Sequence, residues 1–103
     1  MSQSHQLAAI MFTDIVGYTA LMGNDEKKAF ELLNENRSLQ KPIIEKNHGR
    51  WMKEMGDGVM ASFNTASDAV TAAMQIQDAC GSANHFKLKI GIHLGETGNN
   101  QQV

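Results

Sequence analysis

Cysteine, proline and tryptophan each occur once in this 103-residue chain, as Cys80, Pro42 and Trp51. A lone cysteine excludes an internal disulfide and fits a reducing compartment. The N-terminal run Met1-Ser-Gln-Ser-His-Gln has neither a basic nor an apolar region, so no secretory signal is visible. No apolar run approaches the roughly 20 residues that a membrane helix needs, which argues against direct membrane insertion. Positive charge is not in excess either. The net charge is -2 and the lysines are scattered, leaving no basic field to attract nucleic acid. With no Pro/Ser-rich linker, internal repeat or low-complexity tract, residues 1–103 read as a single small domain with one two-layer core.

What is present is a short alternation of strand-like and helix-like patterns. Leu7 to Phe12 is too short an apolar run for an average helix and reads as a buried strand ending at Thr13-Asp14. Gly17 breaks it, and Tyr18 to Met22 suits one short helical turn. Asn24 or Asp25 can cap a longer helix reaching about Asn47, with Ala29, Phe30, Leu32, Leu33, Leu39, Ile43 and Ile44 as its apolar stripe and Gly49 as its stop. Pro42 removes a backbone donor and predicts a kink or a split near Ser38 to Gln40. Arg50 to Met55 and Gly58 to Phe63 read as two strands joined at Gly56-Asp57. Asn64 or Thr65 caps a further helix with a stripe of Ala66, Ala69, Val70, Ala73, Met74 and Cys80. Phe86 to Leu94 alternates as a strand, and the polar segment from Gly95 to Val103 reads as a tail without an element of its own.

This order, βαββαβ, is that of a ferredoxin-like α+β sandwich, an antiparallel sheet with helices on one face. A right-handed crossover makes the first two strands parallel, and the third inserts between them, antiparallel to both. The end of the first strand then lies beside the start of the third. Asp14 and Asp57 are thereby brought to one sheet edge, and with strands about 4.8 Å apart both could reach cations spaced by about 4 Å. Each aspartate has an ordinary explanation alone, since Asp is a common helix cap and Asp-Gly the commonest type I′ hairpin pair. Together, each beside a glycine that lets phosphate approach the backbone, they suggest a two-metal phosphoryl site.

Three segments carry a family resemblance. FTDIVGYT, RWMKEMGDGVMASF and KIGIHLGE, in this order and spacing, resemble the class III adenylate and guanylate cyclase catalytic domain from about Ala8 to Glu96. The resemblance implies that Asp14 and Asp57 are the catalytic metal-binding carboxylates, for two Mg²⁺ or Mn²⁺ ions, with Ile15 lending a backbone carbonyl. It sets Val16, Gly17, Tyr18 and Thr19 against the triphosphate, where amides after Gly17 offer an anion site. Lys53 matches the adenine-reading position, and since GTP-using members typically carry an acid there, ATP is implied over GTP. The family's active site lies between two domains, so a homodimer, or a pair with another cyclase domain, would set Lys53 of one copy against Asp14 and Asp57 of its mate.

The resemblance also sets expectations for what is missing. The family's ribose-orienting Asn and transition-state Arg lie beyond Val103, so this chain reads as a cyclase domain truncated at its C-terminal end and inactive by itself. Glu96 stands where some members place a phosphate-binding Arg. The expected function is conversion of ATP to 3′,5′-cyclic AMP and pyrophosphate in cytoplasmic signalling, with a non-catalytic cyclase-like regulatory or dimerisation module as the alternative. An RNA-binding ferredoxin-like domain is disfavoured by the acidic charge and the absence of a basic, aromatic strand. His5, His48 and His85 lack metal-ligand spacing, His93 reads as packed or interfacial, Cys80 as core, and Trp51 as a packing or dimer-contact anchor.

Overall fold

The computed structural model describes residues 6–83 and 86–97, and in it the first apolar run extends into a ten-residue strand, β1 (Gln6–Ile15). A short helix α1 (Tyr18–Asn24) and a long one, α2 (Glu26–Lys46), follow. The hairpin β2 (Arg50–Met55) and β3 (Gly58–Phe63), helix α3 (Ala66–Ala83) and strand β4 (Leu88–Thr97) complete the order. The strands lie as β2-β3-β1-β4, every neighbouring pair antiparallel. β3 therefore sits between β1 and β2, and Thr13 pairs with Val59 where the end of one strand meets the start of the other.

Alternation along β1 defines two faces. Ala9, Met11, Thr13 and Ile15 are buried, and all but Thr13 join a core with Leu32 and Ile44 of α2 and Ala69, Ala72, Ile76 and Cys80 of α3. Phe12 and Asp14 point the other way and are exposed. The same split continues across the sheet. Val59, Ala61 and Phe63 enter the helix layer, while Met60 and Ser62 share the open face with Phe12 and Ile10. The helices thus cover one face only.

Local chemistry fixes the helix ends. The Asp25 side chain accepts from the Lys28 N–H (3.1 Å) to cap α2, and Thr65 Oγ1 accepts from Asp68 N–H (3.1 Å) to cap α3. α2 runs through Pro42 without the split expected near Ser38 to Gln40. Proline there frees a single carbonyl, in the last turns of a helix anchored along its buried face. The stop also differs from expectation. His48, with φ 66°, is the left-handed residue, and Gly49 N–H donates to Ile44 O (2.8 Å) while His48 N–H donates to Glu45 O (3.1 Å). That pair of bonds is a Schellman motif with histidine in the usual glycine place. Gly49 is small for another reason: a Cβ there would lie 2.4 Å from the Phe63 ring and 2.8 Å from Ile44 Cγ2.

Two predicted stripes are corrected. Phe30 of α2 is half exposed, and the buried line is Ala29, Leu32, Asn36, Gln40 and Ile44. In α3 the buried line is Ala69, Ala72, Ile76 and Cys80, leaving Ala66, Val70 and Met74 exposed. α3 is apolar on two overlapping faces, and the docking against β1 and β4 selects one of them. Gly95 to Thr97, expected in a structureless tail, continue β4 and pair with Ala8 to Gln6. Residues 98 to 103 lie outside the described residues, as do His5 and His85.

Candidate functional site

β1 ends one residue beyond Asp14, and the hairpin turn brings Asp57 to meet it. Gly56 has φ +57° and Asp57 does not have positive φ, which is the type II′ pattern with glycine first. Asp57 is therefore not the left-handed member of a type I′ Asp-Gly pair. Its carboxylate has another engagement: Oδ2 accepts the backbone N–H of Ile15 at 2.9 Å. This bond spans 42 residues of sequence and ties the turn to the residue that follows Asp14. Asp14 and Asp57, expected to converge, are thus joined through Ile15. The Ile15 side chain is buried, so only its backbone is presented toward the pair.

Lys53 arrives by a device that the alternation in the sequence hides. Trp51 pairs with Ala61 and Lys53 with Met60, so a β-bulge at Met52 sets two residues against one. Without it Lys53 would share the helix face with Trp51. The bulge turns it onto the open face with Met60 and Phe12, and turns Glu54 toward α2. There Arg37 donates to Glu54 through Nε (2.6 Å) and an Nη (3.0 Å), and these bonds and the Glu54 charge hold its guanidinium above its ordinary pKa. A cleft of about 220 Å³ results, lined among others by Phe12, Asp14, Lys53, Met55 and Met60. Lys53 and Asp14 of a single chain thus border one cleft.

The remaining expected residues follow Asp14 along the chain or lie elsewhere on the sheet and helices. Val16 is 58% exposed and Gly17 takes φ 79° as it turns the chain into α1. Tyr18 is half-buried, its hydroxyl donating to Met22 Sδ at 3.8 Å, and Thr19 is exposed on α1. On β4, Lys89 stands directly across from Asp14 on the same face. His93, expected to be packed or interfacial, is exposed on that face opposite Ile10. His48 lies 3.6 Å from Asp68, away from the cleft. Cys80 is core as expected, donating to Phe86 O at 2.9 Å, and burial pushes its thiol pKa up. Trp51 packs against the core.

Residues that the sequence reading passed over hold the back of the site. Thr13, immediately before Asp14, is buried among α2 side chains and bonded to Gln40, which is bonded in turn to Asn36. The available signal was a pair of amides four residues apart, in phase with Ala29, Leu32 and Ile44.

Among the described residues no group of three or more His, Cys, Asp and Glu side chains gathers to hold a metal. The Asp14 and Asp57 carboxylates are by themselves a partial set of hard oxygen donors, one Asp57 oxygen already accepting from Ile15 N–H. Such a set suits a cation that takes its other ligands from water and substrate phosphates, the usual habit of Mg²⁺.

The sequence matches the adenylate and guanylate cyclase catalytic domain family over residues 1–100. It is 36% identical over 99 residues to a candidate adenylate cyclase of Rhizobium meliloti (strain 1021), covering 88% of this chain and 17% of that protein. A bacterial light-regulated adenylyl cyclase superposes with a TM-score of 0.86 at 22% identity, over 95% of this chain and 33% of that one. An adenylate/guanylate cyclase/hydrolase from Silicibacter pomeroyi gives 0.80 at 30% identity, over 92% of this chain and 60% of that one. Fold and sequence agree: the chain belongs to the class III adenylate and guanylate cyclase catalytic domain family. It spans a part of each relative's length, and the solved neighbours include adenylyl and guanylyl cyclases alike.

Proposed function

We propose that this chain serves a cytoplasmic adenylate cyclase, converting ATP to 3′,5′-cyclic AMP and pyrophosphate for signalling, with two Mg²⁺ or Mn²⁺ ions held by Asp14, Asp57 and the Ile15 carbonyl. The observation that supports this reading is the 2.9 Å bond from Ile15 N–H to Asp57 Oδ2, which ties the hairpin turn bearing Asp57 to the residue after Asp14, itself on the cleft that Lys53 borders. In cyclisation the ribose 3′-oxygen bonds to the α-phosphorus, its proton departs, and the bond to the bridging oxygen of pyrophosphate breaks. Divalent cations, when bound, supply charge neutralisation to the phosphates and acidify the 3′-hydroxyl.

The chain's own residues supply position. Asp14 and Asp57 hold negative charge at the strand junction, where it can gather the cations. Val16 to Thr19, exposed or half-buried where the chain turns into α1, would receive the triphosphate through their backbone amides. Lys53 reads adenine, and in a homodimer, or a pair with another cyclase domain, it faces Asp14 and Asp57 of the mate. A reduced, buried Cys80 suits the cytoplasmic setting.

Binding of a fluorescent ATP analogue with Mn²⁺ tests the reading. Asp57→Ala is expected to weaken binding of the folded molecules at least about tenfold, in the range set by loss of a metal-site residue, and to lower the melting temperature modestly, since Ile15 N–H loses its acceptor. Equal affinity in the variant and the wild type would remove the metal assignment.

A further inference from the structure

We propose that Gln40, backed by Asn36, is a positioning residue for the divalent-cation site and acts through Thr13; this inference rests on the cyclase reading above. Gln40 is fully buried at 0% exposure, with Thr13 at 4% and Asn36 at 2%. Its amide nitrogen donates to Thr13 Oγ1 at 2.9 Å and to Asn36 Oδ1 at 2.7 Å, and the Thr13 hydroxyl faces Gln40 Oε1 at 3.3 Å. An apolar residue at position 40 would extend the buried line of Ala29, Leu32 and Ile44 with no polar group to desolvate. The amides spend buried space on directional bonds instead. Those bonds lead to Thr13, the residue of β1 that directly precedes the first carboxylate.

The pleat explains how such an anchor reaches the open face. Thr13 points into the helix layer and Asp14 away from it, so fixing the Thr13 side chain fixes the backbone that aims Asp14. One residue further on, Ile15 N–H holds Asp57. A continuous line therefore runs from Asn36 through Gln40 and Thr13 to the backbone between the two carboxylates. Among the described residues no buried side-chain nitrogen or oxygen lacks a partner, so the line has no slack introduced by an unsatisfied group. Supporting groups of this kind hold ligands to within about 0.5 Å of the productive geometry, and their loss typically weakens metal binding by about 10- to 100-fold.

A purely structural cluster would have the same bonds, so the test separates folding from positioning. Mn²⁺ alone is titrated into the whole chain, with free Mn²⁺ counted by electron paramagnetic resonance and melting followed by circular dichroism. Gln40→Met and Thr13→Val each strand a buried partner and are expected to lower both melting temperature and Mn²⁺ affinity. The triple variant Thr13→Val/Asn36→Leu/Gln40→Met removes the whole cluster and should recover melting temperature, since replacing both partners of a bond by apolar groups can be nearly neutral. Its Mn²⁺ affinity is expected to stay about tenfold below the wild type. Thr13→Ser, which keeps the hydroxyl, should bind within about twofold. Wild-type affinity in the triple variant overturns the positioning role. If that variant fails to fold, equal affinity per folded molecule in Thr13→Val and Thr13→Ser overturns it equally. A wild type without Asp57-dependent Mn²⁺ binding overturns the cyclase reading, and this inference with it.

Discussion

The two faces of the sheet are built on opposite rules. Beneath the helices, Met11, Ala61, Phe63, Ile76 and Cys80 close an apolar core, and three of the polar residues buried there, Thr13, Asn36 and Gln40, bond to one another. On the other face Asp14, Lys53, Lys89 and His93 stand exposed among Phe12, Met55 and Met60. A sheet with one dry face and one charged face separates stability from chemistry, because alternate residues of a single strand serve each. Two points where the separation breaks down bear on the site: Thr13 beside Asp14, and the bulge at Met52 that moves Lys53 from one face to the other. At these points a change made for folding is also a change to the site.

The separation can be broken from the dry side with the largest effect. Phe63 is 2% exposed at the centre of the core, and Phe63→Ala is expected to cost about 3–5 kcal/mol by the usual cavity rule. Urea unfolding would measure it, and Mn²⁺ affinity of the molecules that remain folded should hold. A smaller effect comes from overfilling. A methyl at Gly49 meets the ring of Phe63 and Ile44 well inside contact distance, so Gly49→Ala should destabilise by about 1–3 kcal/mol. Again the cleft is untouched. If either substitution weakened Mn²⁺ binding of the folded fraction tenfold, the two faces would not be separable as described.

Much of this architecture was legible in the residues. Strict alternation in Leu88, Ile90, Ile92 and Leu94 marked β4, glycine punctuation marked the hairpin, and strand order followed from the rule for crossovers. The convergence of Asp14 and Asp57 followed from that topology. Other features depended on partners distant in sequence. Nothing in α3 alone decides between Ala72 with Ile76 and Val70 with Met74 as the inward line, since both sets are apolar and only the sheet distinguishes them. Asn36 and Gln40 look like solvent-facing residues until Thr13 is brought against them. The bulge has no local marker either, because Trp51-Met52-Lys53 fits a regular strand equally well. His48 in the left-handed region shows the same thing at a helix end: close packing of Gly49 against Phe63 claimed the glycine that the turn would ordinarily use.

The smallest predicted effect sharpens the open face itself. Lys53 borders the same cleft as Asp14 within one chain, yet its proposed role places it opposite the carboxylates of a mate. Lys53→Glu replaces a donor with an acceptor at the base-reading position and is expected to lower the ratio of ATP to GTP affinity by about fivefold, close to 1 kcal/mol. Equilibrium binding of fluorescent ATP and GTP analogues with Mn²⁺ reads that ratio, and an unchanged ratio removes Lys53 from base recognition. Mixing then tests geometry. If Lys53 acts across a dimer, combining Lys53→Glu chains with Asp57→Ala chains creates mixed dimers with one intact site, because the unaltered Lys53 comes from one chain and the unaltered carboxylates from the other. Binding then rises on mixing. If Lys53 serves the carboxylates of its own chain, every site in the mixture keeps one defect and binding stays low. The bulge would in that case bring base reading and metal binding together on one open face, without a partner.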